Sequence, residues 1–344
     1  MKRSAAEIRR AWGCLLGQIA GDSLGSQVEF KDEEKVRDLY PAGMDELEGS
    51  ALYRTLPGQP TDDSEMALAL ARTLVADGSF RAAHVFEAYK DWLRSRPVDF
   101  AHSVFRALHG KPDAKSEANC ALMRVSPLGV FGARFIPESS LPCDDGGEPD
   151  MDVLAEDEGM RTLVRWAMED AALTCPHPLC RVASAAYVVA LAYGVRSASP
   201  QGMWKAAFTV TEALPRWNAD IPEAEVSRVL ECLKLAEQER PADYQQDMSH
   251  VLTTLQNGFW QLLHAPDAGE GVRSTVMKGG DAAANGAVAG ALLGAAMDID
   301  SFPNQWVDAV LACRPSAERG DVPQPRPEKF WPLDFMPLAE QLLG

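Results

Sequence analysis

The chain has 344 residues, 46% hydrophobic and 24% charged, with 33 basic against 50 acidic side chains and a formal net charge of −17. That composition suits a soluble globular protein with a substantial core. It excludes a nucleic-acid surface, which needs clustered Lys and Arg, and the lack of any run of eighteen apolar residues excludes a membrane span. The charged first twelve residues do not make a signal peptide. Seven cysteines, an odd number with no CxxC pair, predict reduced thiols in a cytoplasmic protein rather than a disulfide framework or a zinc site. The acidic surplus reads as a solvated surface, with steering of cations or of a basic partner as the alternative.

In chain order, the first element is a helix ridged by Gly13, Gly17, Gly21 and Gly25. Glycine inside a helix costs about 0.5–1 kcal/mol relative to alanine, so a ridge of them needs close backbone approach in return. After the turn-forming Pro57-Gly58-Gln59-Pro60 comes Thr61-Asp62-Asp63, then a helix over 64–77. Apolar spacing of three and four continues through Phe86 to Leu93, 159–173, 180–196, 202–213, 223–239 and 246–265. Between them, about 136–159 reads as an acidic loop insertion, either a solvated surface loop or a mobile lid. Near the end, Gly279-Gly280-Asp281 precedes a second ridged helix with Gly286, Gly290 and Gly294. The two ridged helices are expected to be central and tightly packed, each being a candidate partner for the other. Strand patterns are scarce, so residues 1–344 are taken as one all-α domain.

Thr61-Asp62-Asp63 and Asp281 each place oxygens at a helix start. Such residues cap helices and complement the dipole. Brought together, they would instead suit a hard cation such as Mg²⁺. Spacing alone leaves both open.

Five blocks in this order resemble the ADP-ribosylglycohydrolases, the class that includes dinitrogenase-reductase-activating glycohydrolase. They are Gly13 to Phe30, Thr61 to Met66, Asn119 to Gly129, Leu173 to Pro178 and Gly279 to Gly294. The resemblance implies a compact all-α fold, two Mg²⁺ ions in a cleft and hydrolysis of the glycosidic bond at C1″ of ADP-ribose. By it, Thr61, Asp62, Asp63 and Asp281 match metal ligands, and Asp62 and Asp63 also serve catalysis. Glu29 matches an acidic residue near the scissile ribose. Asn119, Arg124 and Gly280 belong to blocks that shape the substrate cleft, with a buried ion-pair partner as the equal alternative for Arg124. Asp22 is read as tying the ridged helix to its neighbours.

The family pattern at the second metal group is Gly-Gly-Asp-x-Asp-Thr-Asn. Here Ala283 stands in place of a carboxylate and Ala284 in place of a hydroxyl. Alanine offers no side-chain oxygen, so one Mg²⁺ or none is expected, with weak or absent turnover. The pair reads as engineered silencing, as natural degeneration or as a rearranged single-metal site. Cys120 and Cys175 replace a common glycine and a usual histidine; Cys175 is expected to be buried and inert, and His177 to be structural. The expected function is removal of ADP-ribose from a modified protein side chain, with arginine the favoured linkage. The rival is a non-catalytic immunity or regulatory protein that binds ADP-ribose, an ADP-ribosylated protein or an ADP-ribosyltransferase.

Overall fold

The computed structural model describes residues 3–142, 149–320 and 322–344. Sixteen α-helices follow one another in these segments. They are α1 (Ala5–Gly25), α2 (Glu33–Leu39), α3 (Asp62–Asp77), α4 (Ala82–Arg94), α5 (His102–Leu108), α6 (Ser126–Gly132), α7 (Asp152–Glu156) and α8 (Glu158–Thr174). After them come α9 (Pro178–Ser197), α10 (Pro200–Trp217), α11 (Glu223–Ala236), α12 (Val251–His264), α13 (Ala268–Val276), α14 (Ala282–Met297), α15 (Asn304–Ala312) and α16 (Phe335–Leu343). No strand forms among the described residues; a lone antiparallel bridge joins Ala118 to His250. Every helix expected from apolar spacing is present.

The two glycine ridges meet. A Cβ added at Gly17 would lie 2.0 Å from the Gly290 carbonyl oxygen, and one at Gly290 would lie 2.1 Å from that of Gly17. Gly13 faces Gly294, Gly21 faces Gly286 and Gly25 faces Ala282 in the same way. α1 and α14 are therefore antiparallel and in backbone contact, which side chains at these positions would prevent. This contact offsets the helix-propensity cost noted above.

α9 is the other central helix. It has 20 residues and mean hydropathy 1.4, long and apolar enough to cross a membrane by composition, but 89% of that window is buried against other helices. It packs on α6, α8, α10 and α14. One contiguous hydrophobic core runs from Ala11 to Leu343.

The stretch expected as an acidic loop is more structured than its composition suggested. A 3₁₀ turn spans Glu138–Ser140, α7 follows, and α8 begins at Glu158. Tyr193 donates its hydroxyl to the Ser140 carbonyl (2.7 Å), which pins the turn to α9. The most acidic part, Cys143 to Glu148, lies outside the described residues.

Candidate active site

The α1–α14 contact decides where the site forms. Beyond the C-terminal end of α1 the chain turns and delivers Glu29 to the N-terminus of α14, where the Ala283 N–H donates to Glu29 Oε2 at 2.7 Å. Asp22, buried within α1, reaches the N-terminus of α3 instead. It accepts from the Thr61 N–H (3.1 Å), the Thr61 hydroxyl (2.8 Å) and the Ser64 N–H (3.0 Å). The N-cap residues themselves, Thr61 and Asp281, make no capping hydrogen bond. Capping is thus done by Asp22 of α1 for α3 and by Glu29, just beyond α1, for α14, and the carboxylates of Asp62, Asp63 and Asp281 face the space between the two helix starts.

That space is a cleft of about 440 Å³, within the usual range for small-molecule sites. Glu29, Asp62, Asp63, Asn119, Asp281 and Ala283 all line it. Asn119 Nδ2 donates to Asp281 Oδ2 and to Thr254 Oγ1, both at 3.0 Å, and so fixes the carboxylate. The Ala101 N–H donates to Asp62 Oδ2 at 3.2 Å. Asp63 Oδ1 is buried with no hydrogen-bond partner among the described residues. The same holds for both amide atoms of Asn285, in the turn that carries the two alanines.

Crowding of like charges away from water raises carboxylate pKa values. Burial pushes Glu29 well above the usual range, and the nearby Asp281 charge adds to it. Asp62 is raised by burial and then by Asp99, and Asp63 by burial and then by Asp62. Burial raises Asp22 to about 6 against its hydrogen bonds from Ser64 and Thr61.

Other expected residues lie elsewhere. Arg124 does not reach the cleft. It is fully buried and donates to Asp170 Oδ2 (3.3 Å), the Asp170 carbonyl (2.9 Å), Thr174 Oγ1 (2.6 Å) and the Cys120 carbonyl (2.9 Å). Its role is that of the ion-pair partner, a brace between the 119–124 turn and α8. Gly280 is not part of the cleft wall either. At φ 67° its N–H donates to the Lys31 carbonyl and its carbonyl accepts from the Phe30 N–H, each at 2.8 Å. A Cβ there would sit 2.0 Å from the Tyr244 oxygen. Thr61 lies behind the cleft, its hydroxyl shared between Asp22 and Asp63 (3.2 Å).

The expectation of reduced thiols is overturned at one pair: Cys120 and Cys175 form a disulfide across 55 residues. The two cysteines that depart from the family pattern are thus partners. Counting and CxxC spacing could not reveal this, because the 119–124 turn and the end of α8 meet only in the fold. Cys14, Cys180, Cys232 and Cys313 are buried and unpaired, and Cys143 is outside the described residues. His177 caps α9, its Nδ1 accepting from the Leu179 N–H.

Several cleft residues carried no sequence motif. Asp99 lies three residues before α5, a carboxylate ahead of a helix start as at Asp62 and Asp281, and accepts from the Tyr53 hydroxyl at 2.7 Å. Phe100, His102 and Arg106 also line the cleft, as does Phe30 at the end of the first sequence block.

Asp62, Asp63 and Asp281 could hold a hard cation, with the unpartnered Asp63 Oδ1 as one ready donor. A different group, Glu117, His177 and Glu225, brings one ligand atom from each within 4.8 Å. Glu117 is already held there by Arg228 (2.7 and 2.8 Å) and His250 (2.8 Å), and these contacts lower it to about 2. That group is a salt-bridge network.

A model of the ADP-ribosylglycohydrolase family matches residues 3–324. The chain belongs to that family. It is 28% identical over 312 residues to the ADP-ribosyl-[dinitrogen reductase] glycohydrolase of Rhodospirillum rubrum, covering 87% of this chain and 89% of the relative. An ADP-ribosylarginine hydrolase of Pseudomonas putida is 31% identical over 141 residues, 36% of each chain. A solved ADP-ribosylglycohydrolase-related protein complex shares the fold, with TM-score 0.69, 24% identity and 99% of both chains covered. The family and these relatives are hydrolases, so this ADP-ribosylglycohydrolase carries a hydrolase scaffold.

Proposed function

We propose that the cleft receives the ADP-ribose of an ADP-ribosylated protein side chain, with arginine as the linkage, and that this chain hydrolyses the bond slowly. The observation that carries the reading is the convergence of Glu29, Asp62, Asp63 and Asp281 on one cleft between two helix starts. The arginine linkage draws support from the Pseudomonas putida relative, whose name specifies ADP-ribosylarginine.

The donor set suits one divalent cation, Mg²⁺ in the family. Asp62, Asp63 and Asp281 would hold it, since their mutual repulsion needs an opposing charge and Asp63 Oδ1 is free. When bound, such a cation neutralises the carboxylates, orients the ribose hydroxyls and acidifies water. A second ion would face the methyl group of Ala283 in the cleft wall, and Ala284, packed in the core, offers it no hydroxyl.

The chain's own residues supply the proton transfers. Glu29 is buried, which together with the nearby Asp281 charge raises its pKa, and it receives the Ala283 N–H at Oε2. Its proton can pass to the leaving guanidine nitrogen as the C1″–N bond breaks. The oxygen of water bonds to C1″, and Asp62 or Asp63 takes the proton that water gives up. Asn119 keeps Asp281 in place throughout.

The missing oxygens at 283 and 284 favour a second reading, a protein that binds ADP-ribose without turnover. Calorimetric titration with Mg²⁺ and ADP-ribose, paired with release from ADP-ribosyl-arginine, separates the two. The expected result is one Mg²⁺ per chain, ADP-ribose binding and slow release. Ala283→Asp with Ala284→Thr should add a second ion and speed release by roughly 100-fold or more. Binding of ADP-ribose with no release leaves the second reading; unchanged metal binding and release in the double variant sink the account of the alanines.

A further inference from the structure

A groove of about 420 Å³ lies beside the cleft, formed by the end of α4, the 95–100 segment and α5. Its floor is apolar, with Leu93, Pro97, Phe105 and Leu108. Its rim is basic, with Lys90, Arg94 and Arg96, and His109 closes one end. Phe100 belongs to both spaces. It stacks on Phe105 at 5.4 Å between ring centroids, and Phe105 meets His109 at 4.3 Å. A run of exposed rings therefore leads out of the cleft mouth into the groove.

The charge changes sign at Phe100. Six acidic residues line the cleft: Glu29, Asp62, Asp63, Asp99, Asp113 and Asp281. None lines the groove. In a chain of net charge −17, a basic apolar groove at the site's door runs against the whole-molecule charge. Glu87 lies off the groove and holds Lys90 (2.9 Å) and Arg94 (3.6 Å) from the side. Arg96 has no acidic partner among the described residues and stands with its backbone at φ 58°, fixed by Arg326 donating to its carbonyl. Phe100 and Phe105 are two of the few large apolar side chains left exposed. Exposed aromatic patches with a charged rim mark interaction surfaces.

We propose that this groove docks a segment of the modified protein: an acidic and apolar stretch flanking the ADP-ribosylated side chain, which itself enters the cleft past Phe100. The proposal rests on the reading of the cleft given above. Apolar side chains of the segment lie on Leu93, Phe105 and Leu108, and its carboxylates meet Arg94 and Arg96. Basic flanks are repelled there. The groove thus selects among modified proteins by sequence around the acceptor, while the cleft selects the ADP-ribose.

The test is fluorescence-anisotropy binding to the full chain in Mg²⁺, using labelled peptides with one ADP-ribosyl-arginine and either acidic–apolar or lysine-rich flanks. The acidic–apolar peptide should bind at least tenfold more tightly. Arg94→Glu with Arg96→Glu, and separately Phe105→Ala, should shrink that preference below threefold. All three substitutions lie outside the cleft, so affinity for free ADP-ribose should stay the same. Equal binding of the two peptides, or a preference that survives both variants, overturns the proposal. An unmodified acidic–apolar peptide provides an independent arm: it should bind the wild type and not the charge-reversed variant. If free ADP-ribose fails to bind while this arm succeeds, the cleft reading falls and the groove stands. If this arm fails, or a single-stranded oligonucleotide displaces the peptide more effectively than an acidic peptide does, the groove proposal falls.

Discussion

Phe30 has its backbone in the left-handed region, at φ 61°, with its side chain 55% exposed at the cleft rim. That conformation costs an L-residue about 1–2 kcal/mol, and it is held by the Phe30 N–H donating to the Gly280 carbonyl and the Gly280 N–H donating to the carbonyl of the next residue, Lys31. Strain of this kind gathers at functional sites. Phe30→Gly should therefore raise stability by about 1 kcal/mol, read as a higher urea midpoint, because relief of strain outweighs the small burial lost. The same variant should weaken ADP-ribose binding; unchanged affinity would remove Phe30 from the ligand's path. Asp62, Asp63 and Asp281 were legible in sequence because each sits in an ordered motif at a helix start, and Glu29 because it closes the glycine-ridged first block. Asp99, Phe100 and Arg106 were not, since a lone acid, aromatic or arginine outside the ordered blocks has no spacing to mark it. Arg124 shows the opposite limit. Its motif was visible, but only burial beside Asp170 reveals what its guanidinium does.

Among elements, α1 and α14 give the sharpest expectation. Gly17→Ala would place a methyl 2.0 Å from the Gly290 carbonyl oxygen, and backbone cannot yield as a flexible side chain can. A loss of about 3 kcal/mol or more is expected, measured by thermal or denaturant unfolding. A loss under about 1 kcal/mol would mean that the helices are not in backbone contact. The period-four glycines make this pairing readable in the sequence itself, because only close approach offsets their cost. The Cys120–Cys175 disulfide links the 119–124 turn to the end of α8. Reduction should cost about 2–4 kcal/mol through the freed 55-residue loop, and a non-reducing peptide map should show the two cysteines joined. Two free thiols at these positions in the untreated native protein would rule it out. Helix positions were otherwise well foreseen, since long amphipathic periods depend on local sequence. The 136–159 region was not, because its turns are held by distant partners such as Tyr193.

For the whole molecule, charge governs stability against pH. Glu29, Asp62, Asp63 and Asp22 all have folded pKa values raised above their unfolded ones, Asp22 to about 6. The folded state then holds protons that the unfolded chain releases, so their contribution is full below about pH 4. It is lost as pH rises through about 6 and beyond. Glu117, lowered to about 2, works the other way and loses its contribution below about pH 4. In chelator, the melting temperature should be higher at about pH 5 than at about pH 7.5, and Mg²⁺ at the higher pH should recover most of the difference. Equal melting temperatures in chelator would contradict the raised carboxylates. The glycine seam also sets the order in which the molecule can be made. The Glu29–Ala283 contact joins residues 254 apart, and α1 has no partner for its ridge until α14 has left the ribosome. At roughly 5–20 residues per second, the nascent chain spends tens of seconds with that bare strip of backbone uncovered. The active site therefore cannot form until α14 has emerged, and any truncation before α14 yields a chain that has helices but no cleft.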